Sequence, residues 1–176
     1  MTPRIYAASR SIAASPDDGY RASSEPGALE SRLPPHDMTG EMLHFDFREG
    51  GGSYRMRLTY AERHRGHGKS SPDADEAVVR ITRLVPGRSI EQAIVFESAD
   101  PAFAGVMRMT WTLVGDGDRT RVTVRAEDVP AGIRVEDHVA AMTASLASAT
   151  AAASSPDTMT LRLFDVNPAV CETATS

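Results

Sequence analysis

The chain has 176 residues, 41% hydrophobic and 24% charged, enough for one domain with a sizeable core. Its formal charge of −5 and isoelectric point near 5.5 speak against a nucleic-acid binder. Within this sequence the single Cys171 has no disulfide partner, no apolar run reaches membrane-spanning length, and residues 1–14 lack the apolar core of a signal peptide. A cytoplasmic protein in a reducing compartment is expected.

Arg4 to Ala14 reads as a first strand of weak alternation. Ser15-Pro16-Asp17-Asp18 then looks like a helix start, with a capping hydroxyl, a proline in the first turn and two acids facing the helix N-terminus. Little apolar surface follows, so only one or two short helices fit before Pro34-Pro35 ends them.

From Met38 to Glu127 the chain alternates with period two. Met38 to Phe47 places Leu43, Phe45 and Phe47 on one face, and Glu49-Gly50-Gly51-Gly52 turns the chain into Ser53–Tyr60. There Tyr54, Met56, Leu58 and Tyr60 oppose Arg55, Arg57 and Thr59. Residues 61–73 are polar and turn-rich. Ala74–Val85 and Ser89–Ser98 flank the hairpin signal Pro86-Gly87. Gly105–Val114 and Arg119–Asp128 flank Gly115-Asp116-Gly117-Asp118, with Met107, Met109, Trp111 and Leu113 opposite Arg108, Thr110 and Thr112. Six strands in consecutive hairpins predict an antiparallel meander with one wet face and one covered face.

After Arg134 the period changes. Val135, Val139, Met142, Leu146, Ala149 and Ala153 form a stripe along one face of a helix over 134–153, with Glu136 and Asp137 in its first turn. Ser154-Ser155-Pro156 ends it, leaving residues 1–155 as one domain and 156–176 as a tail.

Strand, short helices, meander and long C-terminal helix make an α+β helix-grip order, a curved antiparallel sheet wrapped around the helix. The segments Leu33-Pro34-Pro35, Phe45-Asp46-Phe47-Arg48, Gly51-Gly52-Ser53-Tyr54-Arg55-Met56, Asp100-Pro101-Ala102-Phe103-Ala104-Gly105 and Met107-Arg108-Met109-Thr110-Trp111-Thr112-Leu113 carry the resemblance further. So do Thr120-Arg121-Val122-Thr123-Val124 and Gly132-Ile133-Arg134 through Glu136-Asp137-His138. The chain resembles bacterial proteins of the SRPBCC superfamily (START and Bet v 1-like domains), in the branch whose eukaryotic members activate a heat-shock chaperone ATPase. The resemblance implies the helix-grip fold and an apolar pocket more than it implies a reaction. Arg32 stands where this family usually has an aromatic residue, and here the helix thins into alanine and serine before a further tail.

The candidate pocket wall is Phe45, Tyr54, Met56, Tyr60, Met107, Met109 and Trp111 from the sheet, with His138 and Met142 from the helix. Methionine adapts to irregular apolar ligands, and tyrosine and tryptophan each add one polar tip. The leading reading is a small apolar ligand bound without catalysis, cofactor or metal. The His64-Arg65-Gly66-His67 pair, with His36 and His44 elsewhere, falls short of a zinc ligand set. Gly66-His67-Gly68-Lys69-Ser70 ends like a phosphate loop but has Arg63 where a glycine is needed, and Ser71-Pro72-Asp73 does not continue into a helix.

Two alternatives stand beside ligand binding. Arg55, Arg57, Arg108, Arg121 and Arg125 share the outer sheet face, where a protein partner of a chaperone-associated module could dock. A cyclase- or hydrolase-like enzyme would draw on His138, Glu127 and Tyr54. Strand parity turns Glu127 to solvent, however, and His138 falls at the margin of the helix stripe, more readily exposed beside Asp137 than buried.

Overall fold

The computed structural model describes residues 4–22, 27, 29–30, 33–34, 37–48, 51–62 and 68–151. The expected turn at Glu49-Gly50, Arg32, three of the histidines (His36, His64 and His67) and the tail 156–176 lie outside these residues.

In chain order the elements are β1 (Tyr6–Ile12), α1 (Pro16–Ala22), β2 (Met38–Arg48), β3 (Gly51–Tyr60), β4 (Ala74–Val85), β5 (Ser89–Phe96), β6 (Met107–Asp116), β7 (Arg119–Glu127) and α2 (Val135–Ala151). All seven strands join one antiparallel sheet in the order β1-β7-β6-β5-β4-β3-β2. The six-strand meander is as the hairpin signals predict. β1 extends it by pairing along β7, from Tyr6 opposite Ala126 to Ile12 opposite Thr120.

Local chemistry accounts for the joints. Ser15 starts α1, its hydroxyl accepting from the Asp18 amide at 3.2 Å. Gly87 sits at φ 67° in the β4–β5 turn, where a side chain would also meet the Asp17 carboxylate of α1. Bulges between Met42 and His44 and between Ile81 and Arg83 add twist and curvature. The first of these corrects the expectation for β2. Leu43 is the extra residue and is exposed, while Met38, Gly40, Met42 and Phe45 face inward.

The core lies on the inner sheet face: Ala8 and Ile12, Tyr54 and Met56, Val79 and Ile81, Ile90 and Ile94, Met107, Trp111 and Leu113, and Val122, Val124 and Ala126 are buried there. Helix α2 covers it with Met142 and Leu146, lying nearest β1. A short segment closes the β2 side. The Leu33 carbonyl accepts from Ser145 Oγ of α2 at 2.9 Å, and the Glu30 carboxylate accepts from the Met42 amide at 2.7 Å. Gly40 lets this segment press on the sheet: an added Cβ would stand 2.7 Å from the Pro34 ring and 2.8 Å from the Glu30 carbonyl.

The helix stripe needs one correction. Val135 is exposed at 42%, whereas His138, Met142 and Leu146 are buried. The first turn of α2 projects past the core, and Val129 and Ile133 of the preceding loop fill the apolar place assigned to Val135. That loop rests on a 3-10 turn at Pro101–Phe103, the Gly132 amide donating to the Ala102 carbonyl at 2.7 Å.

Candidate ligand-binding site

Strand parity brings the sheet residues of the candidate wall to one face. Tyr54, Met56, Met107 and Trp111 are buried there, and Phe45, Tyr60 and Met109 are half-buried. Met142 and His138 meet this face from α2 and are buried in turn. Leu58, Met42, Phe96 and Phe103 are further half-buried residues packed against the same cluster. The wall is therefore apolar and incompletely sealed by the described residues.

A polar chain crosses it. Trp111 Nε1 donates to Gln92 Oε1 at 3.3 Å, and Gln92 Nε2 donates to the Tyr54 hydroxyl at 3.2 Å, all three residues buried. Burial drives the Tyr54 phenol well above its ordinary value, so it is a neutral donor, and its own proton meets no acceptor among the described residues. Sequence reasoning missed Gln92, although Gln92 shares the parity of Ile90 and Ile94 and so had to point inward.

A second polar group sits where the ends of β3, β4 and β5 approach the start of α2. Asp75, buried on β4, accepts from the Lys69 amide at 2.5 Å and pairs with Lys69 Nζ, which also lies 5.4 Å from the centre of the Phe96 ring. The glycine-containing stretch before β4 thus folds back on its own strand, and Lys69 is tied to Asp75. Burial, then the carboxylates of Asp75, Asp37 and Asp137, push the Tyr60 phenol up to about 12. Asp75 too was legible by parity, which it shares with Ala77, Val79 and Ile81.

His138 departs most from expectation. It is buried at 8% exposure, its ring edge-on to Tyr6 at 6.0 Å, and its Nε2 has no hydrogen-bond partner among the described residues. Burial, helped by the positive charges of Lys69 and Arg4, lowers its pKa from 6.5 to about 4, so at neutral pH the imidazole is uncharged. Arg4 is held nearby: it donates to the Pro130 and Ile133 carbonyls at 2.6 Å each and to the Tyr6 hydroxyl at 3.0 Å. Glu127 lies on the outer face, paired with Arg125 at 3.1 Å, and does not reach His138. Asp128 takes the left-handed conformation, φ 55°, but it turns the chain after Glu127 without turning Glu127 inward.

The outer face holds a shallow cleft of about 370 Å³ bordered by Thr82, Glu91, Arg108, Thr110 and Glu127. Its charges are spent on ion pairs: Glu91 with Arg83, Arg108 with Asp128, Glu127 with Arg125. Arg55 and Arg57 likewise share Glu76, and Arg55 also pairs with Glu97 at 2.5 Å. Exposed His44 is on β2, and no group of three or more histidine, cysteine or acidic side chains among the described residues is placed to hold a metal ion.

The family profile described as Activator of Hsp90 ATPase homolog 1-like protein matches residues 13–153. The chain belongs to this family, and with it to the SRPBCC superfamily. Protein CV1439 from Chromobacterium violaceum is similar at 27% identity and TM-score 0.71, over 82% of this chain and 92% of that one. Protein NE0264 from Nitrosomonas europaea shares the fold at 14% identity and TM-score 0.59, over 82% and 90%. DynU16, described as a putative protein in the dynemicin biosynthetic locus, shares it at 16% identity and TM-score 0.54, over 82% of this chain and 45% of that one. No curated protein matches the chain. The family and its structural relatives agree with the helix-grip architecture. No helix among the described residues is long and apolar enough to cross a membrane.

Proposed function

We propose that the SRPBCC domain, residues 1–155, binds a small hydrophobic molecule between the inner sheet face and α2, without catalysing a reaction on it. One observation carries this reading. An apolar wall of methionine and aromatic side chains, with Phe45, Tyr60 and Met109 only half-buried, is interrupted by a buried Trp111–Gln92–Tyr54 chain whose final phenolic proton meets no acceptor among the described residues. That combination is what a ligand site requires: area for an apolar body and one or two polar tips to orient it. Phe45, Tyr54, Met56, Tyr60, Met107, Met109, Trp111, His138 and Met142 are the proposed contacts. The catalytic alternative lacks support because no carboxylate among the described residues is bonded to His138 and Asp75 is committed to Lys69.

Docking of a protein partner on the outer face has one favourable observation, the cross-strand pair Val78 and Val95, both exposed. The arginines around it are largely neutralised by their own glutamates, which weakens it as a basic docking surface.

Trp111 is the only tryptophan, so its fluorescence reports directly on the wall. Titration with apolar probes is expected to shift its emission and raise the melting temperature by mass action; a ligand at about a hundred times Kd adds about 2.7 kcal/mol. Unchanged emission and melting across a broad apolar panel would reject ligand binding and leave the outer-face reading first.

A further inference from the structure

We infer that the ligand is an amphiphile with a single acidic head, a carboxylate on an apolar tail, and that the head seats between His138 and Lys69 beneath the first turns of α2. The inference rests on the ligand-binding reading and specifies what that site accepts.

Three observations place a head there and not at the Trp111 end. His138 Nε2 is buried with no partner among the described residues, and a buried polar atom is left so only at a cost that a ligand group would remove. Lys69 Nζ gives a proton to Asp75 and has two more to give, with no further acceptor among the described residues. The local charge is also unbalanced. Lys69 and Asp75 cancel, but Arg4, facing the same imidazole, meets only backbone carbonyls and the Tyr6 hydroxyl, with no carboxylate among the described residues. A monoanion complements that single excess positive charge.

The other groups facing this place do not supply the anion. Tyr60 stays protonated. Asp37 and Asp137 are exposed, so water screens their charge. An arriving carboxylate would accept from Lys69 Nζ and from His138 Nε2, and its negative charge would favour the imidazolium. Binding would then draw one proton from solvent onto His138. The sign follows: affinity for the anion rises as pH falls through the pKa of His138 in the complex and levels off above it. A fully apolar ligand, or an alcohol, draws no proton and shows no such slope.

The test compares decanoate, decyl sulfonate and decanol on the intact chain by isothermal calorimetry, in two buffers of different ionisation enthalpy, at about pH 6 and about pH 8. Decyl sulfonate keeps its charge throughout, so its pH dependence is the protein's alone. Both anions are expected to bind at least about tenfold tighter than decanol and to take up protons. The preference should vanish in H138F and in the pair K69M/D75L, which removes the ion pair as a unit and leaves no buried charge stranded. The preference is read in each variant as the ratio of anion to decanol affinity, so a general weakening of the apolar site cancels. Equal affinity of the three ligands for the parent, or an anion preference that survives both substitutions, overturns the acidic-head assignment. Failure of all three to bind, with no response to other apolar probes, overturns the underlying ligand-binding reading instead.

Discussion

At the scale of single residues, the decisive change is the burial of His138. Its neutral state is favoured by the fold, so the unfolded chain holds a proton on it below about pH 6.5 that the folded chain refuses until about pH 4. Across that window the unfolded state binds more protons, and stability must fall as pH falls. The span from 6.5 to about 4 corresponds to roughly 3 kcal/mol, all lost by about pH 4 and constant below. Urea unfolding between about pH 7 and about pH 4.5 should show this slope in the parent and a flatter one in His138→Phe. An NMR titration of the His138 ring with a midpoint near 6.5 would contradict its burial. Gln92 is a second point where one side chain holds others. Gln92→Leu strands Trp111 Nε1 and the Tyr54 hydroxyl, at about 1–3 kcal/mol for each group left unpaired. Adding Tyr54→Phe should restore part of the loss in chemical denaturation, because an apolar pair needs no partner.

Among the elements, α2 shows where along its length the core contact begins. Leu146→Asp places a charge at a site 2% exposed and is expected to cost about 3–5 kcal/mol. Val135→Asp, at a site 42% exposed and beside the helix N-terminus, should lie within about 0.5 kcal/mol of the parent by the same denaturant measurement. Similar losses in both would mean that the first turn of α2 is packed on the core instead of projecting past it. Strand parity was the most legible element-level signal. It placed Tyr54, Met56, Met107 and Trp111 inward and the arginines outward because a regular strand leaves no other choice. It failed at Leu43, where a bulge of one residue resets the alternation, and nothing in Met42-Leu43-His44 marks that insertion. Asp75 and Gln92 carry the same signal, each sharing the parity of the buried apolar residues on its strand.

For the whole molecule, the first and last elements are joined by contacts spanning most of the chain. Arg4 bonds the Val129, Pro130 and Ile133 carbonyls, fixing the loop that aims α2 at the sheet. Arg4→Met removes a charged donor from three acceptors and is expected to cost about 1.5–3 kcal/mol. Amide exchange should quicken at Gly132 and Ile133, and spread into the first turn of α2. Exchange confined to β1, with the loop still protected, would mean that the 3-10 turn under Gly132 holds the loop without Arg4.

The alternation of Met38 to Glu127, the three glycine-bearing turns and the helical period after Arg134 determined the meander, its two faces and the covering helix. All of these depend on neighbours within a few residues, which a sequence states directly. The tertiary structure alone decided what stands opposite what: Val129 and Ile133 filling the interior place read for Val135, His138 buried against Tyr6, Lys69 folding back to Asp75, Arg4 reaching the loop before α2. Each depends on the rotation or reach of an element relative to partners up to 129 residues away, and that is set by packing of the assembled core, not by local preference.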